Sequence, residues 1–92
     1  MNDKLSLKLF LVDRVIEIED CDYITLDVAD DKKGGFSGSY GIKKGHADAI
    51  ISVREGKVTA QKNGEIVFAS QTSSGFATIK KNVVNITVDS IK

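Results

Sequence analysis

Cysteine, histidine, tryptophan and proline are scarce or missing in this 92-residue chain. It has one cysteine, Cys21, one histidine, His46, and no tryptophan or proline. A single cysteine cannot form an internal disulfide, so a disulfide-stapled scaffold is excluded. Cys21 and His46 cannot by themselves supply the four ligands of a structural zinc site. We therefore predict no metal site, and we interpret Cys21 as a small strand residue.

Net charge and long apolar runs are also missing. Thirteen basic and thirteen acidic residues cancel, so the chain lacks the positive field that attracts nucleic acid or anionic lipid. Lysine pairs at 32–33, 43–44 and 80–81 are interpreted as residues that keep strand edges soluble, and no nucleic-acid partner is expected. The apolar stretch from Leu5 to Val12 is interrupted by Ser6 and Lys8. It is too short and too polar to cross a bilayer, so no direct membrane insertion is expected.

Alternation of apolar and polar residues is what the sequence has in abundance. Apolar residues occupy every second position in 5–11, 24–28 and 84–88. Successive side chains of a strand point to opposite faces, so each segment presents one apolar edge to a common core. The pattern predicts an all-β fold, a flattened antiparallel β-sandwich or barrel of about eight to ten short strands. We expect one domain over residues 1–92.

Turn residues separate these runs at short intervals. Asn63-Gly64 is a strong signal for a two-residue hairpin, because a type I′ turn needs positive φ at both positions. Glu55-Gly56 and Lys81-Asn82 are predicted to be further turns. Residues 47–53 are predicted to form a strand, since β-branched side chains dominate there.

The segment Asp30–Ser39 is predicted to be a mobile polar loop, with glycines at 34, 35 and 38. Its glycines match no phosphate-binding template, and the aspartates around it do not have the spacing of a calcium loop. We therefore expect no catalytic residue and no cofactor, and the chain is not interpreted as an enzyme. One function left open is a stand-alone ligand-binding β-sandwich that uses this 30–39 loop as a lid.

Several segments resemble the N-terminal sandwich domain of the ATP synthase epsilon subunit. YGIKKGHA at 40–47 is similar to that family's G-I-x-P-G-H-A. Likeness continues through 53–58, 73–77 and 82–88, and the first strand at 7–12 also fits. The resemblance covers nearly the whole chain in the right order. In departures from the pattern, Lys44 and Asp48 replace prolines, the 30–39 loop is longer, and the chain stops at Lys92, where the family's helical hairpin begins.

The resemblance implies a non-catalytic central-stalk (rotor) subunit of a proton- or sodium-translocating ATP synthase. Such a subunit links the gamma subunit to the c-ring, as a peripheral protein on the cytoplasmic face of a bacterial inner membrane or in the equivalent organelle compartment. Isolated, it is expected to be a monomer. Carried over by position, the residues that face the c-ring are Ser37, Gly38, Ser39 and Tyr40. The residues on the gamma-facing side are Val15, Ile16, His46, Ala47, Ala49 and Ile50. If their strand alternates, either Ala49 or Ile50 belongs to the core.

Overall fold

The computed structural model describes residues 4–28 and 38–91, and within these ranges the chain is all β. It contains no helix there, and thus no helix able to span a bilayer. The prediction of an all-β sandwich or barrel of about eight to ten strands is confirmed. The described strands are β1 (Leu5–Phe10), β2 (Val15–Cys21), β3 (Tyr23–Val28), β4 (Gly38–Lys43), β5 (Ala49–Val53), β6 (Gly56–Lys62), β7 (Glu65–Thr72), β8 (Gly75–Lys80) and β9 (Val83–Val88).

All nine strands belong to one strongly curled sheet. Its order is β2-β1-β9-β8-β5-β3-β6-β7, and β4 pairs with β3 off this path. The sheet curls into a nearly closed, flattened barrel of 36 × 29 × 23 Å, in which β2, at one end of the strand order, also contacts β6 near the other end. Every pair is antiparallel except β1–β9, which is parallel. Alternation reports which face of a strand is buried but not the direction of its neighbour, so this parallel pair was not predicted.

In most strands the core is formed by one phase of the alternation, whereas in β6 the three consecutive residues Val58, Thr59 and Ala60 are all buried. In β1 the side chains of Leu5, Leu7 and Leu9 are fully buried, whereas those between them are only partly buried. The same alternation recurs in β3, β8 and β9. The other buried apolar side chains are Cys21, Ile24, Leu26, Val28, Ile42, Val53, Val58, Ala60, Ala77, Ile79, Val84, Ile86 and Val88.

Two hairpins have the predicted two-residue turns. Asn63 and Gly64 have φ of 54° and 80°, and they connect the paired residues Lys62 and Glu65. Lys81 and Asn82 have φ of 50° and 67° between β8 and β9. Positive φ at both central residues defines a type I′ turn, whose twist matches that of the flanking strands. Both turn predictions are confirmed.

A β-bulge near the end of β2 positions Cys21. The β1–β2 register shifts between Leu5 and Leu7, and Asp20 opposite has φ of 59°. The Asp20 carboxylate lies 2.9 Å from Nζ of Lys62, and that hydrogen bond lowers the pKa of the Asp20 carboxyl. Cys21 is fully buried, its Sγ donates to the carbonyl of Leu5 at 3.3 Å, and burial raises the pKa of its thiol. Cys21 is therefore a core strand residue, as predicted.

Three predicted boundaries differ from the structure. Strand β5 begins at Ala49, so residues 47 and 48 belong to the preceding connection. Gly56 is the first residue of β6, and the turn before it is Arg54–Glu55. Gly38 and Ser39, predicted to lie in the loop, are the first residues of β4, and the rest of the predicted loop lies outside the described residues. At Gly56 and Gly38, the short glycine-containing segments carry too weak a strand signal to set the boundary.

The turn between β5 and β6 is held by Asp27 of β3. The Asp27 carbonyl accepts a hydrogen bond from the Arg54 amide at 2.9 Å, and its Oδ2 accepts one from the Lys57 amide at 3.1 Å. A Cβ on Gly56 would lie 2.0 Å from that same Oδ2. Glycine is therefore required at position 56 because the Asp27 carboxylate occupies the space of a side chain.

Candidate partner-binding surface

The outward side of five adjacent strands, β5, β8, β9, β1 and β2, forms a continuous surface that we call the outer face. Residues paired directly across a sheet project from the same side, so the strand register defines its rows. One row runs from β5 to β2 through Ser52, Phe76, Thr87, Phe10 and Val15. The next row runs in the same order through Ile50, Thr78, Asn85, Lys8 and Glu17.

Large apolar side chains of the outer face are exposed. Phe76 is 51% exposed, Val15 is 48% exposed and Ile50 is 80% exposed. Phe10 is half-buried and pairs with both Val15 and Thr87. Single exposed apolar residues are ordinary, but several on one face, flanked by threonine and serine, are typical of a protein-binding surface.

A hollow of about 440 Å³ opens on the same face between β5, β8 and β9. Its apolar walls are Ala49, Ile50 and Ile79, and Asn85 and Thr78 also line it. The Oδ1 atom of Asn85 is buried, and it has no hydrogen-bond partner in the described part of the chain. A buried acceptor without a donor is rare in a folded domain.

The residues predicted to face gamma occupy both phases of their strands. Val15 and Ile50 lie on the outer face, near its opposite margins, with Phe10 and Phe76 between them. Ile16 and Ala49 have the opposite phase, are half-buried and pack against the core. Of the Ala49–Ile50 pair, Ala49 is partly buried against the core and Ile50 is 80% exposed, so neither belongs to the fully buried core.

His46 and Ala47 lie in the connection between β4 and β5, and a hydrogen bond joins His46 to Tyr40. The Tyr40 hydroxyl is 2.8 Å from Nε2 of His46, and the two rings meet at 66° with centroids 5.7 Å apart. Nδ1 of His46 is 2.7 Å from the carbonyl of Ala47. Because a carbonyl only accepts, Nδ1–H donates to it, and in the neutral ring Nε2 accepts from Tyr40.

The residues predicted to face the c-ring lie at the start of β4. Gly38, Ser39 and Tyr40 pair with Val28, Asp27 and Leu26 of β3, respectively. Ser39 is exposed, Tyr40 is half-buried, and Ser37 lies outside the described residues. Through its bond to His46, Tyr40 connects the residues predicted to face the c-ring with those predicted to face gamma. From the resemblance to the epsilon subunit, these two groups are expected on separate surfaces.

Phe10, Phe76 and Asn85 were missed as candidate site residues. Each lies in the outward phase of its strand, next to a buried neighbour such as Leu9 or Ala77. A phenylalanine in the solvent-facing phase of a regular strand is the signal that could have identified Phe10 and Phe76. No signal in the sequence indicates that the Asn85 amide is unpartnered, since this depends on packing between strands.

A second exposed apolar pair lies on β7, away from the outer face. Ile66 is 58% exposed and Val67 is 51% exposed, beside a shift in the β6–β7 register. That bulge places an extra residue in β7 and twists the strand, which discourages pairing with another chain. In the described residues no group of three or more His, Cys, Asp or Glu side chains could hold a metal ion. The outer face carries exposed apolar side chains on three strands, whereas β7 carries two on one strand, so the outer face is the larger candidate binding surface.

Two solved structures with a similar fold are of ATP synthases. One chain in the central stalk and c-ring structure of the Tetrahymena thermophila mitochondrial ATP synthase superposes with a TM-score of 0.73 at 13% identity, over 97% of this chain and 66% of that chain. One from the Euglena gracilis mitochondrial ATP synthase, in rotational state 1, gives a TM-score of 0.78 at 20% identity, over 100% of this chain and 54% of that chain. At such identities the likeness shows the fold, and this chain spans between about half and two-thirds of those chains.

Sequence comparison identifies the family. A search of curated protein sequences found no match. The family model described as "ATP synthase, Delta/Epsilon chain, beta-sandwich domain" matches residues 4–92. This range includes every described strand and the segments whose resemblance to the epsilon subunit was noted from the sequence. The chain belongs to the ATP synthase delta/epsilon beta-sandwich family.

Proposed function

We propose that this chain is a non-catalytic rotor subunit in the central stalk of an ion-translocating ATP synthase, where it links the gamma subunit to the c-ring. The observation that carries the proposal is the exposed apolar outer face, centred on Phe10 and Phe76, in a member of the delta/epsilon family. The ion is a proton or sodium. The subunit is peripheral, on the cytoplasmic face of a bacterial inner membrane or in the equivalent organelle compartment.

The outer face is proposed to bind the gamma subunit. Interfaces place aromatic and aliphatic side chains at the centre and polar groups at the rim. Phe76 and Phe10 flank Thr87 near the middle of the face, and Lys8 and Glu17 lie towards one margin. Affinity for gamma should therefore come mainly from apolar burial and depend little on salt.

The start of β4 is proposed to contact the c-ring. Gly38, Ser39 and Tyr40 carry no charge, so this contact would rest on hydrogen bonds and on packing of the Tyr40 ring. The bond between Tyr40 and His46 would connect this contact mechanically with the β4–β5 connection. A sheet whose strands are hydrogen-bonded almost all the way round resists shear, which suits a part that transmits torque.

Binding to gamma alone, and to gamma with the assembled c-ring, tests the proposal. Ile50→Asp adds a charge to an exposed position of the outer face, so the fold should survive while gamma binding falls by at least about tenfold, since a buried unpaired charge costs several kcal/mol. Ala49→Asp is less informative because Ala49 packs against the core. Ile66→Asp on β7 is the matched control and should bind gamma like the parent chain.

The c-ring contact is tested separately with Ser39→Trp. This bulky change at an exposed residue should leave gamma binding intact and reduce recovery of the gamma-bound subunit with the c-ring. Melting curves show whether each variant folds. If the parent chain fails to bind gamma, or if Ile66→Asp loses gamma binding while Ile50→Asp retains it, the proposed assignment is wrong.

A further inference from the structure

An open recess of about 390 Å³ lies at the end of β4, beside the β4–β5 connection. Both of its lysines are exposed, and in the described part of the chain no salt bridge involves either of them. Its histidine is one of the residues that the resemblance to the epsilon subunit places on the gamma-facing side. The residues that line the recess are Tyr23, Gly41, Lys43, Lys44, Gly45 and His46.

Three hydrogen-bond donors border this recess. Nζ of Lys43 lies over the ring of Tyr23, 5.7 Å from its centroid, where cation–π attraction helps to hold it. The Tyr23 hydroxyl lies over Gly41, where a Cβ would overlap it, and it makes no hydrogen bond with any described residue. Both ring nitrogens of His46 are already hydrogen-bonded. The donors that remain are therefore the two lysine ammonium groups and the phenol hydroxyl.

The backbone position of Lys44 is a second, independent indication. The amide of His46 donates to the carbonyl of Lys43 at 3.2 Å, and Gly45 between them has φ of 82°. These are the features of a type II turn with Lys44 at its second position, where proline is favoured because its ring fixes the required φ. The epsilon-subunit pattern has proline there. In this chain a backbone restraint is given up, and a charge borders the recess instead.

Carboxylates on neighbouring segments are engaged elsewhere. The pKa of the Asp20 carboxyl is lowered mainly by its hydrogen bond to Lys62 and, more weakly, by charges that include that of Lys44. Asp20 is thus close enough to sense Lys44, but its Oδ1 lies 2.9 Å from Nζ of Lys62. Asp22 and Asp48 each accept a hydrogen bond from a turn amide. Within the described residues, the recess is left with two ammonium groups and no anionic partner for them.

We propose that this recess binds an acidic side chain, an aspartate or glutamate, of the gamma subunit. The inference rests on the proposed binding of gamma by the outer face, since the β4–β5 connection leads directly into β5 and Ile50. A carboxylate has two acceptor oxygens and no donor, so it matches two ammonium groups and a hydroxyl. Exposed charges at the margin of an interface speed association and fix orientation, whereas apolar burial supplies most of the affinity.

Two charge reversals and one proline substitution test the proposal in association kinetics with gamma from the same organism. Lys44→Glu should slow association about tenfold at low ionic strength. Lys57→Glu changes the net charge equally, at an exposed position of β6 outside the recess, and should associate at nearly the parent rate. Lys44→Pro removes the charge but suits the turn, so Tm should be equal or higher while association slows about threefold.

Stopped-flow association at low and high salt and thermal melts give the readouts. Slower association of both Lys44 variants than of Lys57→Glu, with differences that narrow at high salt, supports the proposal. Equal rates for Lys44→Glu and Lys57→Glu overturn it and leave the proposed function intact, because only net charge would then matter. A difference that persists at high salt also overturns it, as does a lower Tm for Lys44→Pro, which would remove the turn from the argument. If the parent chain does not bind gamma, the proposed function and this inference both fail.

Discussion

The two faces of β8 and β9 differ sharply although they belong to the same strands. On the inner face Ala77, Ile79, Val84 and Ile86 are at most 1% exposed, whereas Phe76 on the outer face is 51% exposed. Both faces carry apolar side chains, so composition alone does not separate them. The two faces differ in what covers them: inner residues are covered by this chain and stabilise its fold, while outer residues such as Phe76 remain exposed.

The largest effect is expected from truncation on the inner face. Ile86→Ala should lower the free energy of unfolding by about 2–5 kcal/mol, because it removes a fully buried side chain and leaves a cavity. Its outward neighbour offers a matched control: Thr87→Ala should change stability by no more than about 0.5 kcal/mol. Urea unfolding of both variants measures this. Equal losses for the two would remove the distinction between the faces.

A smaller effect is expected at the β6–β7 turn, which lies away from the outer face. Gly64→Val should cost about 1–2 kcal/mol, because a β-branched residue resists the φ of 80° found there. Glu65→Val, at the adjacent exposed strand position, controls for the valine itself. Measured at a temperature where the variant remains folded, gamma binding by Gly64→Val should equal that of the parent chain. An unchanged Tm would show that the turn is not needed in this conformation.

The smallest effect concerns pH and the buried thiol of Cys21. Burial raises the pKa of this thiol in the folded chain. As pH rises, the Cys21 thiol therefore loses its proton at a lower pH in the unfolded chain than in the folded chain. The free energy of unfolding is therefore unaffected by this thiol at pH values below the unfolded pKa of about 8.5. It declines as pH increases from there towards the folded pKa. Urea midpoints at neutral and alkaline pH should therefore fall more for the parent chain than for Cys21→Ala. Identical pH dependence in the two chains would contradict this account of Cys21.

The fold was largely predictable from the sequence because alternation reports burial directly. Leu5, Leu7 and Leu9 are fully buried, and Asn63-Gly64 forms the turn that its backbone preferences require. Strand direction was not predictable, since β1 and β9 pair in parallel and alternation does not encode the direction of a neighbouring strand. Nor does alternation set where a strand begins beside glycine, as at Gly38.

The candidate site was less predictable. Resemblance to the epsilon subunit indicated Val15 and Ile50, both of which lie on the outer face, but the position of Phe10 and Phe76 between them depends on the register of four strand pairs. The bond between Tyr40 and His46 joins a strand to the connection after it through side-chain geometry. The burial of Oδ1 of Asn85 without a hydrogen-bond partner depends on how tightly the neighbouring side chains pack. Each of these features depends on three-dimensional packing and not on the pattern of residues along one strand.

The central claim, that gamma covers the outer face, is tested most directly by thiol protection. Cys21 is buried and should not react with a maleimide while the chain is folded, so one new cysteine gives a clean signal. Thr87→Cys places a thiol between Phe76 and Phe10, and Ala69→Cys places one at an exposed position of β7. With saturating gamma, labelling of Thr87→Cys should slow several-fold and labelling of Ala69→Cys should not change. Protection of Ala69→Cys with no protection of Thr87→Cys would contradict the account.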